Sequence, residues 1–139
     1  MAALFVTSCG TGRGKTYVSE NMIRGWLAAG KDVRVLKPVI SGFDPAAAED
    51  TDTGLLLAAA GQDLTPTTID RVSPWRYAAP LSPDMAAALE DRAVPVDEVV
   101  DFCRSAISDA ETEGAHLLIE GAGGVMVPLD ETCTMRDQI

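Results

Sequence analysis

The sequence predicts an α/β fold: a mostly parallel sheet flanked by helices. Three observations carry that prediction. Short apolar runs that read as buried strands alternate with segments of helical periodicity. The first such run passes through a glycine-dense turn directly into a helix. The second follows that helix closely, and a strand–helix–strand unit of this size implies a parallel pair with a right-handed crossover. With 139 residues, one domain over 1–139 is expected.

The elements follow in order. Leu4-Phe5-Val6-Thr7 is the first strand, and three glycines in Gly10-Thr11-Gly12-Arg13-Gly14 end it. After Lys15-Thr16 the period changes. Val18, Met22, Trp26 and Ala29 share one helical face, and Gly30 marks the stop. Val33 to Leu36 is the second strand, ending at Lys37-Pro38. Residues 42 to 50 read as a loop, and Thr53 to Ala60 as a helix closed by Gly61. Four prolines and no sustained period make residues 62 to 83 an ordered loop around Ser73-Pro74-Trp75. Met85 to Glu90 is a short helix with Pro83 near its first turn. Val99, Val100, Cys103, Ala106, Ile107 and Ala110 form a stripe on a longer helix from Val96. His116 to Ile119 is the third strand, Val125 to Leu129 is extended, and residues 134 to 139 open another helix.

Composition excludes several function classes. The formal charge of −10 repels nucleic acid phosphates and anionic lipid heads, so neither is expected as a partner. A phosphate ligand would need a local positive site. The three cysteines, Cys9, Cys103 and Cys133, are widely spaced, and His116 is the one histidine, a set that does not suit zinc. The N-terminus carries no basic leader and no long apolar run, and the cysteines fit a reducing cytosol, so a cytoplasmic location without a membrane span is expected.

The glycine turn is the strongest single feature. A loop that opens a helix presents backbone N–H groups at the positive end of the helix dipole, and glycines let it wrap a phosphate. In Gly12-Arg13-Gly14-Lys15-Thr16, the lysine reaches β- and γ-phosphates and the threonine hydroxyl suits Mg²⁺. The strict Walker A spacing is not met, since Cys9 stands where its first glycine belongs. Position between strand and helix makes this a P-loop-like nucleotide site all the same. The Arg13 side chain reads as a solvated loop charge.

In open α/β sheets, ligands sit beyond the C-terminal ends of the strands. Lys15-Thr16, Lys37 to Gly42 and Glu120 to Gly124 all fall there. Lys37 beside a triphosphate would stabilise charge on a transferring phosphoryl group. Glu120, after four buried-type residues, either pairs structurally or faces Mg²⁺, and a neighbouring triphosphate favours the metal. Asp52 caps the helix that begins near Thr53 or binds metal; the residues alone leave both open. His116 is assigned a structural role, and Cys9 no nucleophilic one.

Four segments together resemble dethiobiotin synthetases: Phe5-Val6-Thr7 leading to Gly14-Lys15-Thr16; Lys37-Pro38-Val39-Ile40-Ser41-Gly42; Ser73 to Pro83; and Glu120-Gly121-Ala122-Gly123-Gly124. The second and third are the specific ones. The resemblance implies a P-loop NTPase-like fold and an ATP- and Mg²⁺-dependent ligase of biotin biosynthesis. Such an enzyme closes 7,8-diaminopelargonic acid and CO₂ into dethiobiotin through a carbamate and a carbamic–phosphoric anhydride. By the same resemblance, Lys15, Lys37 and Thr11 are catalytic and Ser41 contacts the substrate. Gly12, Arg13, Gly14, Lys15, Thr16, Tyr17, Asp52, Glu120, Gly121, Ala122 and Gly123 line the nucleotide, and Thr16, Asp52 and Glu120 hold the metal. The chain departs from the family at Ser8, Cys9 and Gly10, where Gly-Thr-Asp is usual, at Gly12, where an acid is frequent, and at Asp84, where histidine is common. Family members continue for several more strands and helices and pair as homodimers, so the resemblance implies the N-terminal portion of a longer domain. The competing readings are a cobyrinate-amidase-type synthase, a partitioning ATPase and an inert nucleotide-binding relative. The partitioning class carries a further loop lysine where Gly10 stands.

Overall fold

The computed structural model describes residues 1–9, 14–124 and 126–138, with residues 137 and 138 described by backbone alone. Strands β1 (Ala3–Val6), β2 (Val33–Leu36) and β5 (His116–Glu120) form a parallel sheet in the order β1-β5-β2. A second parallel pair joins β3 (Val39–Ser41) to β4 (Trp75–Tyr77). Helices α1 (Gly14–Ala28), α2 (Asp52–Ala59), α3 (Pro66–Val72), α4 (Pro83–Ala88) and α5 (Val96–Glu113) complete the regular structure, with 3₁₀ turns at Pro45–Asp50 and Met135–Gln138. The parallel sheet flanked by helices bears out the expected α/β class.

Side-chain alternation along β5 assigns the layers. Leu118 packs with Ile23 of α1 and with Leu56 and Leu57 of α2 on one face. Leu117 and Ile119 pack with Cys103 and Ala110 of α5 on the other. A parallel strand covered on both faces must read as a continuous apolar run, which is why the stretch Leu117-Leu118-Ile119 was legible. Glu120 continues the period of two, so it shares the α1 face with Leu118. The α5 stripe is likewise as expected, with Val99, Cys103 and Ala110 buried, and Gly114 ends the helix in the left-handed region at φ 71°.

Several expectations are corrected. The inner face of α1 is not Val18 and Ala29: Val18 is 48% exposed, while Thr16, Ser19 and Ile23 are buried. The helix turns a polar upper half inward, so apolar residues do not mark its buried face there. Residues 62 to 83 are not merely loop. Pro66 occupies the first turn of α3, and Thr65 and Thr68 exchange side-chain and backbone hydrogen bonds in a capping box. Strand β4 then pairs residue for residue with β3, a strand that lies just beyond the predicted strand end. The switch occurs at Lys37-Pro38. Lys37 N–H donates to the Val72 carbonyl (3.0 Å) and Trp75 N–H to the Pro38 carbonyl (3.2 Å), so the chain leaves β5 and takes up β4. The loop at 42–50 contains the turn Pro45–Asp50, capped by the Asp44 carboxylate on Ala46 N–H. Within the described part of 125–129 there is no strand, only a bridge from Pro128 to Thr134. The expected C-terminal helix opening is a single 3₁₀ turn.

β1 pairs, among the described residues, with β5 alone, and Leu4 on it is 36% exposed. No helix among the described residues is long and apolar enough to cross a membrane.

The start of α2 is held by close backbone packing. A Cβ on Gly54 would lie 2.2 Å from the Ala48 carbonyl oxygen and 2.8 Å from Glu49 Cα. Those are backbone atoms, so the turn before α2 would have to move. Gly54→Ala is expected to lower stability by about 2–3 kcal/mol. The check is a urea midpoint that falls while the m-value stays unchanged.

Candidate active site

The site is built where β5, α1 and the end of β2 meet. On α1, Thr16 and Ser19 lie three residues apart and Ile23 four further on, so all three face the sheet. Ile23 covers Leu118, and the two hydroxyls one and two turns nearer the helix start reach Glu120. Glu120 is 0% exposed, and both its oxygens are engaged. Oε2 accepts from the Ser19 hydroxyl at 2.8 Å. Oε1 accepts from the Lys37 ammonium at 2.9 Å and lies 3.0 Å from Thr16 Oγ1.

Lys37, 2% exposed, is the hub. Its three donors are matched by Glu120 Oε1, the Gly121 carbonyl at 2.9 Å and Asp52 Oδ2 at 3.1 Å. A buried ammonium is tolerable only with such pairing. Asp52 keeps its side chain 42% exposed and also brings Oδ1 to 3.1 Å from Thr16 Oγ1. The structure removes the capping reading of Asp52. The cap of α2 is Thr51, whose hydroxyl accepts from Gly54 N–H, and the Asp52 carboxylate turns to Thr16 and Lys37 instead.

Lys15 is buried at the start of α1, with Nζ 3.5 Å from the Ser8 hydroxyl, a weak contact. Burial lowers its ammonium below the usual lysine range. The Lys37 charge lowers it further, and the Glu120 and Asp52 carboxylates offset part of that. An arriving anion would favour the charged form.

These groups open onto a cleft of about 370 Å³ whose walls include Lys15, Lys37, Ser41, Asp52, Ala122 and Gly123. The opposite wall is the segment 80–83, and Ile40 and Val127 add apolar surface. The Ser41 hydroxyl is buried there without a hydrogen-bond partner among the described residues, a cost that a ligand would relieve. Gly123 takes φ 64°, and a Cβ on it would come within 2.7 Å of Val127. Sequence reasoning thus placed Lys15, Lys37, Ser41, Asp52, Ala122 and Gly123 around one cleft, with Thr16 and Glu120 behind it and the Gly121 carbonyl on Lys37. Gly14 opens α1. Tyr17 is 69% exposed and does not line the cleft. Thr11, Gly12 and Arg13 lie outside the described residues. Ser19 and the 80–83 wall had no site role in the sequence reading. For Ser19 the available signal was its position one helical turn after Thr16.

Mg²⁺ suits this donor set. Two carboxylates and a hydroxyl converge, all hard oxygen donors, and the geometry already holds a cation, the Lys37 ammonium, between the two acids. Among the described residues no three His, Cys, Asp or Glu side chains converge. The remaining ligands of a metal here would come from phosphate oxygens and water.

Comparison with known proteins bears on the family and not on the metal. The chain is similar to ATP-dependent dethiobiotin synthetase BioD of Acidiphilium cryptum, with 46% identity over 140 residues, 100% of this chain and 61% of that protein. It is 46% identical to the protein of that name from Methylobacterium nodulans over 137 residues, 96% of this chain and 60% of the relative. The corresponding values for Phenylobacterium zucineum are 44% over 137 residues, 99% and 58%. The resemblance drawn from four short segments therefore extends along the chain, which spans about 60% of the length of these relatives. A family model described as an AAA domain matches residues 2–139, and the chain belongs to that family.

Proposed function

We propose that the protein carrying this chain closes the ring of dethiobiotin from 7,8-diaminopelargonic acid and CO₂, with ATP and Mg²⁺. One observation carries the reading. Lys15, Lys37, Asp52 and the partnerless Ser41 hydroxyl face a single cleft at the C-terminal ends of parallel strands, in a chain similar to proteins named for that activity.

The residues divide the work as follows. The loop before α1, with Gly12, Arg13 and Gly14, wraps the phosphates, and Lys15 reaches them from the first turn. Thr11 is assigned to the γ-phosphate by the family resemblance alone. Thr16, Asp52 and Glu120 would hold Mg²⁺, which when bound neutralises phosphate charge and orients it. Lys37, at the mouth of β2, stabilises charge that develops as a carbamate oxygen attacks the γ-phosphorus and ADP leaves. Ser41 donates to the carbamate or the diamine. The second amine then attacks the carbonyl carbon of the mixed anhydride, phosphate departs, and the cyclic urea closes. Ile40, Val127 and the 80–83 wall exclude water from the anhydride. Cytoplasmic location, homodimer formation and independence from nucleic acid belong to the same proposal.

The test is ADP release by the whole protein. It is expected only when the diamine and bicarbonate are both present. Hydrolysis indifferent to the diamine would reject the assignment.

A further inference from the structure

We infer that Ser19 is a positioning residue for the cation site, acting through Glu120; this rests on the metal assignment in the proposed function. Glu120 must present one oxygen to the cleft although its side chain is wholly buried. Its two oxygens are not equivalent. Oε1 lies against Lys37 and Thr16, on the cleft side. Oε2 points into the α1 packing, where Ser19 Oγ, 0% exposed, holds it at 2.8 Å. Among the hydrogen bonds of the described residues, that contact is the one made by Oε2.

The other two partners of the carboxylate belong to the working site. Thr16 and Lys37 exchange Oε1 for phosphate or metal when ligands arrive. The Ser19 bond is behind them and has no such alternative. It therefore keeps the carboxylate plane and the cleft-facing oxygen fixed through the exchange. A serine in a helix interior commonly turns its hydroxyl to the carbonyl four residues back. Here the hydroxyl goes to a strand carboxylate instead, bridging α1 to β5 at the level of the site. Outer partners that orient a ligating group typically contribute 10–100-fold in metal affinity.

The experiment measures Mn²⁺ binding by electron paramagnetic resonance to the full-length protein loaded with a non-hydrolysable ATP analogue. Ser19→Ala is expected to weaken binding by about tenfold. Ser19→Cys, near in volume but a poor donor, should lose as much, and Ser19→Thr, which keeps the hydroxyl, should stay within about threefold of the unsubstituted protein. In a Glu120→Gln background the Ser19→Ala effect should shrink to less than about twofold, since the coupled partner is already changed. Unchanged Mn²⁺ affinity in Ser19→Ala, or an equal loss in both backgrounds, overturns the inference. If Ser19→Ala does not fold, the Cys variant decides. A Glu120→Gln protein with undiminished Mn²⁺ affinity would remove the metal assignment and Ser19 with it. Diamine-dependent ADP release by the unsubstituted protein would be untouched, which separates the two failures.

Discussion

Lys37→Met is expected to lower kcat of the proposed diamine-dependent reaction of the whole protein by about 10²–10³-fold, the loss typical for removing one preorganised donor from developing charge. Methionine fills a similar volume, so packing is nearly kept and charge is what changes. The KM for ATP should move far less, because Lys15 and the loop before α1 remain. The same substitution also tests the fold. Lys37 donates to Glu120, Asp52 and the Gly121 carbonyl. Without it Glu120 stays buried with only the Thr16 and Ser19 hydroxyls. Breaking a buried pair costs about 3–5 kcal/mol, and the lower end is expected because these hydroxyls still serve the carboxylate. Denaturant unfolding near neutral pH gives the value. A variant with normal kcat would show that Lys37 acts only as a structural counter-ion.

Glu120→Ala is expected to be as damaging to turnover, about 10²–10³-fold, and for a different reason. It removes one carboxylate of the proposed cation site and leaves Lys37 bound to Asp52, half-exposed, and to a carbonyl. The Mg²⁺ concentration needed for half-maximal rate should rise at least tenfold, which the lysine variant does not predict. Stability should fall through the loss of the Lys37 partner and the small void beside Ser19. The two effects are distinguishable. Adding Mg²⁺ should recover part of the rate in Glu120→Ala and none in Lys37→Met. A Glu120→Ala enzyme with an unaltered metal requirement would place the cation elsewhere.

Linear patterning was enough for the layers of this protein, because burial on both faces imposes a continuous apolar run on β5 and helical spacing on α5. It was also enough to select candidate residues that converge beside one cleft, since chemically distinctive residues stand at strand ends where parallel sheets place their ligands. Lys15, Thr16, Lys37, Ser41 and Glu120 were all legible that way. Local pattern could not reveal β3 and β4. Each has three residues, and their pairing depends on a change of partner at Lys37-Pro38 that no short-range signal encodes. It misassigned the inner face of α1 for a related reason. Near the site that face is hydroxyl-bearing, buried by hydrogen bonds to one carboxylate and not by apolar contact, so Val18 looked like core while Ser19 did not. The choice of Asp52 as a site carboxylate over a helix cap also waited on three dimensions. Thr51 competes for the same cap, and only the approach of α2 to α1 brings Asp52 to Thr16 and Lys37. Hydrophobic period is a property of neighbours in the chain, whereas polar pairing across β5, α1 and α2 joins residues up to 104 positions apart.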